Sequence, residues 1–208
     1  MAPQKDKRLW VAPPMWSGGE CFILGGGPSL RDFDISRLEG KRVIAVNNAY
    51  KLAPWIPVLF FGDCRWLASN SAALLHFAGL KVTTCEQHVD KPGIKVIKRR
   101  NSPQGLSTDP AILTWNLSSG ACAINLAVHF GVKRIVLLGF DMQIVDGNHH
   151  WHNDYPKPVN PKHNPYPRFM RTFPVIAEAL KRRHVECVNA CPGSKLEVFP
   201  KVPVEDVL

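Results

Sequence analysis

Residues 118–141, with the sequence SSGACAINLAVHFGVKRIVLLGFD, indicate the fold of this chain. Small and apolar residues fill a helix predicted over 119–130, with Ser118 as its N-cap and Gly131 just past its end. The apolar run 134–138 follows, and such a continuous run is typical of a strand buried on both faces. A helix followed so closely by a buried strand is the repeating unit of a parallel α/β sheet.

The same alternation extends to both sides of this unit. Strands are predicted at 21–24, 42–46, 57–61, 81–84, 94–97, 134–138 and 185–188, and helices at 65–77, 119–130 and 172–183. In the last helix Thr172 is a candidate cap, and Pro174 falls in the first turn, where proline is tolerated. The pattern predicts an α/β fold, a Rossmann-like, mostly parallel sheet with helices on both faces.

Length and composition indicate one globular domain. The chain has 208 residues, 45% of them apolar, which is enough for a sizeable core and excludes a disordered chain. Residues 1–18 are polar and rich in proline and glycine, so we expect an N-terminal arm followed by a single Rossmann-like domain over 19–208. Within it, residues 142–168 contain five prolines, four histidines and two tyrosines without a regular period, which predicts a long lid loop.

Charge, cysteines and hydropathy narrow the class of protein. With 26 Lys and Arg against 17 Asp and Glu the formal charge is +9, which suits a phosphate-bearing ligand or equally a soluble surface. The six cysteines are scattered without a CxxC pair, so we expect neither a disulfide framework nor a cysteine zinc site. Since we find no apolar run of bilayer length and no signal sequence, we expect a cytoplasmic protein without a membrane span.

Ligands of open α/β sheets bind beyond the carboxyl ends of the strands, and small or polar residues follow each strong predicted strand here. A glycine loop can approach a phosphate closely, and the start of a helix offers free N–H groups to an anion. The candidate nucleotide-binding residues are Gly25, Gly26, Gly27, Ser29, Asn47, Asp63, Ser118, Ser119, Gly120 and Gly139. The alternative interpretation is that they are turn residues, and that Ser118 only caps its helix.

Candidate catalytic residues lie around the lid loop. Asp141 precedes the loop and could hold a ribose, a metal ion or an acceptor. The loop contains four histidines, and a histidine can act as a general base near neutral pH or ligate a metal. The pair His150 and His152 would suit a metal only in an extended loop, so we favour a single catalytic histidine and predict no metal site.

Several of these stretches resemble bacterial lipooligosaccharide sialyltransferases. The loop GGGPSLRDFDISRL at 25–38 is similar to their GNGPSL-type loop, and residues 118–141 are similar to their TSG-helix-strand block. The C-terminal stretch VNACPGSKLEVFP at 188–200 is similar to their Cys-Pro-x-Ser turn. The wider superfamily includes motility-associated glycosyltransferases and a hydroxymethylpterin pyrophosphokinase, and uncharacterised phage and prophage proteins are more similar still.

The resemblance implies a nucleotide-sugar donor of the CMP type, held by Asp141 together with the candidate nucleotide-binding residues other than Gly26. It also implies a lid histidine that deprotonates the acceptor hydroxyl, with His163 as the first candidate and His152 as the second. This chain departs from the family at Gly26, where the family has an asparagine, and at Asn116, which stands near a family arginine.

We therefore expect a glycosyltransferase that moves a sugar from a nucleotide-sugar donor to an unidentified acceptor, with nucleic acid among the candidate acceptors. One alternative is a pyrophosphokinase-like enzyme that uses ATP and Mg²⁺ held by Asp63 and Asp141. Another is a non-catalytic protein that binds a nucleotide or nucleic acid on the same scaffold.

Overall fold

The computed structural model describes residues 9–155 and 164–208. The strands in these residues are β1 (Glu20–Leu24), β2 (Val43–Val46), β3 (Val58–Phe61), β4 (Leu80–Thr83), β5 (Ile94–Val96), β6 (Lys98–Arg100), β7 (Ile112–Thr114), β8 (Arg134–Leu138) and β9 (Glu186–Asn189). The helices are α1 (Cys64–Asn70), α2 (Ser119–His129), α3 (Tyr166–Met170) and α4 (Phe173–Lys181). Short 3₁₀ turns connect several of them, including Pro28–Leu30 and Asn47–Leu52.

Seven strands form one sheet in the order β5-β4-β3-β2-β1-β8-β9, and every pair in it is parallel. The chain runs outward from β1 to β5 and then returns to the other side of β1, so the strand order reverses between β1 and β8. This arrangement confirms the predicted Rossmann-like fold. The reversal opens a crevice beyond the carboxyl ends of β1 and β8, which is where such sheets bind ligands.

The sheet is buried on both faces because its strands alternate between two apolar layers. In β1, Cys21 and Ile23 pack in the layer that includes α2 and α4. Phe22 and Leu24 point into the opposite layer, which includes Trp66 and Leu67 of α1. These residues are at most a few per cent exposed, so the continuous apolar runs in the sequence reflect burial on two faces.

The predicted strands are confirmed to within about two residues, but the structure differs from prediction in two places. The short strands β6 and β7 were not predicted, because β6 consists of three basic residues and β7 of only three residues. The helix predicted at 65–77 is wrong beyond Asn70, where a separate 3₁₀ turn, Ala73–Leu75, follows. The side chains of Asn70 and Ser71 donate to backbone carbonyls of the preceding turn, and such bonds compete with helical ones.

The cap of α2 is confirmed and that of α4 is wrong. The hydroxyl of Ser118 accepts a hydrogen bond from the backbone N–H of Ala121 at 3.2 Å. The hydroxyl of Thr172 makes no capping bond to α4, because it donates instead to the backbone carbonyl of Asn116 at 2.9 Å. Pro174 lies in the first turn of α4, as predicted.

Residues 9–18 of the predicted arm pack on the domain, with the indole rings of Trp10 and Trp16 edge-on to Phe130. At the end of the predicted lid the chain forms α3. One finding corrects the cysteine interpretation, because Cys64 at the start of α1 is disulfide-bonded to Cys85 after β4. Among the helices in the described ranges, none is long and apolar enough to span a bilayer.

Candidate active site at the carboxyl edge of the sheet

A cleft of about 450 Å³ opens at the carboxyl ends of β1, β2, β3 and β8. The start of α2, the lid segment and α3 complete its walls. The structure brings ten of the predicted site residues together here, namely Gly25, Gly26, Gly27, Asn47, Asp63, Ser118, Ser119, Gly120, Gly139 and His152. The cleft therefore unites residues that are more than 120 positions apart in the sequence.

Ser29 and Asp141 are not in the lining of this cleft. The carboxylate of Asp141 accepts hydrogen bonds from the hydroxyl of Ser29 at 2.8 Å and from its backbone N–H at 3.1 Å. Burial raises the pKa of Asp141, although the bonds from Ser29 lower it. Both residues border a second cavity of about 700 Å³ on the other side of the glycine loop. Asp141 thus ties this loop to the end of β8.

Gly27 makes that tie sterically feasible. A Cβ atom at this position would lie 1.9 Å from Oδ2 of Asp141 and 2.7 Å from the carbonyl oxygen of Gly139. No side chain fits there without breaking the contact between the loop and β8. The role of Gly27 is close backbone packing behind the cleft, in agreement with the turn interpretation of the loop.

The start of α2 presents an anion-binding end to the cleft. The Ser118 hydroxyl is engaged as the N-cap, and the Ser119 hydroxyl accepts the backbone N–H of Gly62 at 3.2 Å. The first N–H groups of a helix have no partner within it, and the helix dipole places partial positive charge there. The backbone of Ser119 and Gly120, rather than their side chains, is therefore suited to a phosphate.

Three residues in the lining have a left-handed backbone although they are not glycine. These are Asn47 with φ 52°, Leu117 with φ 64° and Met142 with φ 51°. Such a conformation is costly for a bulky residue such as leucine, and costs of this kind concentrate at functional sites. In addition, Oδ1 of Asn47 is buried and finds no hydrogen-bond partner in the described part of the chain. Asn47 thus brings an unsatisfied acceptor to the lining of the cleft.

The lid segment places two imidazole rings over the glycine loop. The ring of His150 lies so close to Gly26 that a Cβ atom there would be 3.2 Å from Nδ1. His150 and His152 stack with an interplanar angle of 8° and centroids 5.4 Å apart, and Tyr155 packs edge-on against both rings. Gly26, where the resembled enzymes have asparagine, is thus the position that admits His150.

The two imidazoles are in different electrostatic states. Burial, with smaller contributions from His152 and His149, lowers the pKa of His150 to about 4, so this ring is neutral at pH 7. Burial also lowers the pKa of His152, and its Nδ1 accepts the backbone N–H of Asp154 at 3.2 Å. A neutral His152 therefore carries its proton on Nε2 and acts as a donor. His150 turns its Nδ1 edge toward Gly26, so Nε2 is the atom farther from the loop.

The lid segment is held down at several points. The backbone N–H of Trp151 donates to the carbonyl of Gly26 at 3.2 Å. The carboxylate of Asp154 accepts from Nζ of Lys51 at 2.6 Å and from Nδ2 of Asn48 at 3.3 Å. These contacts join the lid to the loops that follow β1 and β2, so they close the cleft from above.

Of the remaining predicted residues, His163 lies outside the described residues. Asn116 is fully buried and exchanges two hydrogen bonds with the backbone of Gly105, so its side chain holds a loop rather than a ligand. Cleft residues outside the predicted set include Arg65, Trp66, Trp115, Tyr155, Tyr166 and Arg168. Their signal was position, since each lies within a few residues of a predicted strand end, of a lid histidine or, for Trp115, of the predicted N-cap Ser118.

The charged side chains of the cleft lining include two cations and one anion, namely Arg65, Arg168 and Asp63. Burial raises the pKa values of Tyr155 and Tyr166 to about 12, so both hydroxyls keep their protons at pH 7. Within residues 9–155 and 164–208, no three His, Cys, Asp or Glu side chains converge as a metal site. The lining thus offers hydrogen-bond donors, cations and neutral imidazoles.

The sequence matches no protein-family model and no curated protein. Solved structures with a similar fold include glycosyltransferases. The sialyltransferase CstII from Campylobacter jejuni, in complex with cytidine-5′-monophosphate, is 15% identical, with a TM-score of 0.55 over 89% of this chain and 85% of that one. CstII in complex with CMP-3FNeuAc gives 16% identity and a TM-score of 0.50 over 88% of this chain and 85% of that one.

The MAf glycosyltransferase from Magnetospirillum magneticum AMB-1 is 13% identical, with a TM-score of 0.64 over 95% of this chain. This chain spans about a third of that protein, since the match covers 35% of it. At such identities the likeness shows a shared Rossmann-like fold. The function has to be argued from the residues of the cleft.

Proposed function

We propose that this protein is a glycosyltransferase that binds a nucleotide-sugar donor in the 450 Å³ cleft. One observation carries the proposal: the start of α2 and the neutral imidazole of His150 belong to the same cleft at the strand-order reversal. The start of α2 is suited to bind the phosphate of the leaving nucleotide. The imidazole of His150 is suited to accept the proton of the attacking acceptor hydroxyl. The structures of CstII with CMP and CMP-3FNeuAc support a nucleotide ligand of the CMP type for this fold.

The donor phosphate would be held by the backbone of Ser119 and Gly120, and the nucleoside by Asn47 and Asp63. Oδ1 of Asn47 is a buried hydrogen-bond acceptor without a partner in the described part of the chain. Asp63 is half-exposed after the end of β3. Asp63 also caps α1 by accepting from the backbone N–H of Arg65, which fixes its orientation. Carboxylate and amide oxygens in these positions suit ribose hydroxyls and the polar edge of a base.

In the reaction, the acceptor hydroxyl attacks the anomeric carbon and loses its proton to Nε2 of His150. The bond between the anomeric carbon and the phosphate oxygen breaks, and the nucleotide leaves with that electron pair. The helix dipole of α2 stabilises the charge that develops on the leaving phosphate.

The two predicted catalytic histidines, His152 and His163, also have roles in this proposal. His152 carries its proton on Nε2 and would donate a hydrogen bond to the donor or acceptor. His163 stays a prediction, as the first candidate base of the resemblance. Tyr155 packs edge-on against the imidazoles of His150 and His152 and holds their orientation.

The pyrophosphokinase alternative requires two carboxylates at one metal ion. Asp63 lines the cleft, whereas the carboxylate of Asp141 is bound to Ser29 beside the second cavity. This separation favours the glycosyltransferase over the ATP-dependent enzyme. A binding protein without turnover remains an outcome of the test.

The test is thermal-shift binding of the purified chain with CMP-, UDP-, GDP- and ADP-sugars, the free nucleotides, and ATP with and without Mg²⁺. A ligand at ~100 times its dissociation constant stabilises by about 2.7 kcal/mol, which is a rise of several degrees for a chain of this size. We expect a rise with one nucleotide sugar without added metal. A rise only with ATP and Mg²⁺, or none at all, would contradict the proposal.

The chemical step is tested with His150→Gln in the presence of the donor that binds. Loss of a general base lowers kcat by ~10²–10⁴-fold. The matched control is His76→Gln, an exposed histidine next to the 3₁₀ turn after α1. Full activity of His150→Gln would move the base to His152 or His163.

A further inference from the structure

A basic strand lies at the same edge of the sheet as the cleft. β6 (Lys98–Arg100) follows directly from the carboxyl end of β5, separated from it by one residue. The carboxyl ends of parallel strands share one edge, so the side chains of β6 lie at the ligand-binding edge. Lys98 is exposed, and Arg99 and Arg100 are half-buried.

Arg99 connects this strand to the wall of the cleft. Its guanidinium carbon lies 4.2 Å from the ring centroid of Trp115, and Trp115 lines the cleft. The backbone N–H of Trp115 donates to the carbonyl of Arg100 at 2.7 Å, which fixes the two segments side by side. A molecule leaving the cleft past Trp115 therefore meets β6.

The positive charge at this end of the cleft is only partly compensated. Arg65, with a side chain that is 95% exposed, has Asp63 at 3.7 Å. The side chain of Arg99 bonds the neutral amide oxygen of Asn101 at 2.8 Å. Glu86 lies nearby but accepts from the backbone N–H of Arg99 at 3.2 Å. The exposed cations are thus placed for an external anion.

We propose that β6 and Arg65 bind a phosphodiester chain that carries the acceptor hydroxyl, an inference that rests on the proposed glycosyltransferase function. Because the start of α2 would bind the donor phosphate, Arg65 and the cations of β6 are available to bind a second anionic molecule. One guanidinium group can donate two parallel hydrogen bonds to a phosphate. A row of cations on a strand suits a polymer with regularly spaced phosphates. The chain would extend from the cleft past Trp115 and over β6.

The sequence contains a matched control at the other edge of the sheet. Lys181 ends α4, Arg182 is exposed beside it, and β9 begins only four residues later at Glu186. Since this segment leads into the amino end of β9, it lies away from the cleft. The pairs Lys98 with Arg99 and Lys181 with Arg182 each contain one lysine and one arginine, so removing either pair changes the net charge equally.

The experiment measures fluorescence anisotropy of a labelled 20-nucleotide oligothymidylate with the full chain over a series of salt concentrations. We expect Lys98→Ala/Arg99→Ala to weaken binding about tenfold or more and to lower the salt slope by ~1.4, which is ~0.7 for each phosphate contact to a single strand. Lys181→Ala/Arg182→Ala should bind like the unchanged chain. Absence of binding, or equal loss in both double variants, overturns the proposal.

Two further arms keep the result decisive. Because Arg99 packs on Trp115, the charge reversal Lys95→Glu/Lys98→Glu, at two exposed positions, repeats the test without that contact and should also weaken binding. An abasic phosphodiester chain and polyglutamate of equal length serve as competitors. Competition by the abasic chain supports recognition of phosphate, whereas polyglutamate competing as well as the oligonucleotide overturns it.

The same variants separate this inference from the proposed function. The thermal shift with the nucleotide-sugar donor should persist in Lys95→Glu/Lys98→Glu, because neither side chain lines the donor cleft. Loss of oligonucleotide binding with a retained donor shift supports the inference. A donor shift without any oligonucleotide binding overturns the inference and leaves the glycosyltransferase proposal intact.

Discussion

Ser29 and Asp141, which are 112 residues apart, are joined by two hydrogen bonds on one carboxylate. The hydroxyl of Ser29 donates to Oδ2 and its backbone N–H donates to Oδ1. The pair fastens the glycine loop after β1 to the end of β8, across the point where the strand order reverses. Asp141 is accordingly a positioning residue, and its effect on activity should follow from its effect on structure.

Asp141→Asn should destabilise the chain by about 1.5–3 kcal/mol, because the new amide N–H₂ replaces one of the acceptors and a hydrogen bond to a charged carboxylate contributes about that much. Urea unfolding measures the loss, and nucleotide binding should weaken with it. Asp146→Asn is the control, since Asp146 is exposed and has φ 49°, which asparagine also adopts. A large loss of kcat in Asp141→Asn without a loss of stability would instead assign it a chemical role.

Alanine substitution of the adjacent residues Gly26 and Gly27 should affect stability differently. Gly27→Ala places Cβ on the carboxylate of Asp141 and on the backbone of Gly139, so we expect a loss of about 1–3 kcal/mol from overpacking. At Gly26 a Cβ would meet only the side chain of His150, which can turn away. Gly26→Ala should therefore keep its melting temperature and lose turnover. Equal melting temperatures for both variants would contradict this account.

Lid closure should depend on pH through His150. Its pKa in the closed structure is about 4 against an ordinary 6.5, so the closed form binds fewer protons than the open one. Closure is then fully favoured above about pH 6.5, weakens as the pH falls from 6.5 to about 4, and levels off below that. His152, with a lowered pKa, titrates in the same direction, while Lys51, Asp154 and His149 are the other charged or titratable neighbours.

Nucleotide affinity measured between pH 4 and 7.5 checks this prediction. His150→Phe keeps an aromatic ring without a titrating nitrogen, so its affinity should change less at acid pH than that of the unchanged chain. The same steep decline in both proteins would show that His150 is not the group responsible. The melting temperature, recorded at each pH, separates lid opening from global unfolding.

The ion pair between Lys51 and Asp154 should contribute modestly to holding the lid. Both side chains are more than a third exposed, and such pairs contribute about 0.2–1 kcal/mol. Lys51→Met and Asp154→Asn should each raise the rate of proteolysis within the lid, and the double variant should add little to either. Strict additivity of the two single effects would indicate that the side chains act independently.

The disulfide between Cys64 and Cys85 should stabilise the chain measurably. It closes a loop with a sequence separation of 21, for which chain entropy gives ~3 kcal/mol. Reduction should yield two additional thiols, counted by alkylation after denaturation, and lower the melting temperature. The Cys64→Ser/Cys85→Ser variant should melt at the lower temperature with or without reductant. Six free thiols in the untreated, denatured protein would contradict the pairing.

The sheet could be predicted from the apolar runs of the sequence. Runs such as 135–138, within β8, are apolar at every position, and only burial on both faces accommodates that pattern, so strands and α2 could be predicted to within about two residues. The strand ends also marked the cleft, because parallel strands deliver their carboxyl ends to one edge. Elements without a repeating pattern, such as β6 with three basic residues, gave no such signal.

Which polar residues face the cleft, and which bond to each other, depends on the tertiary fold. Ser29 and Asp141 had the same sequence context as the lining residues, yet they bond to one another because Gly27 lets the two loops meet. The lid histidines differ in the same way: His150 lies against Gly26 and His152 against the backbone of Asp154. These contacts depend on distances between residues far apart in the chain, and local sequence does not encode such distances.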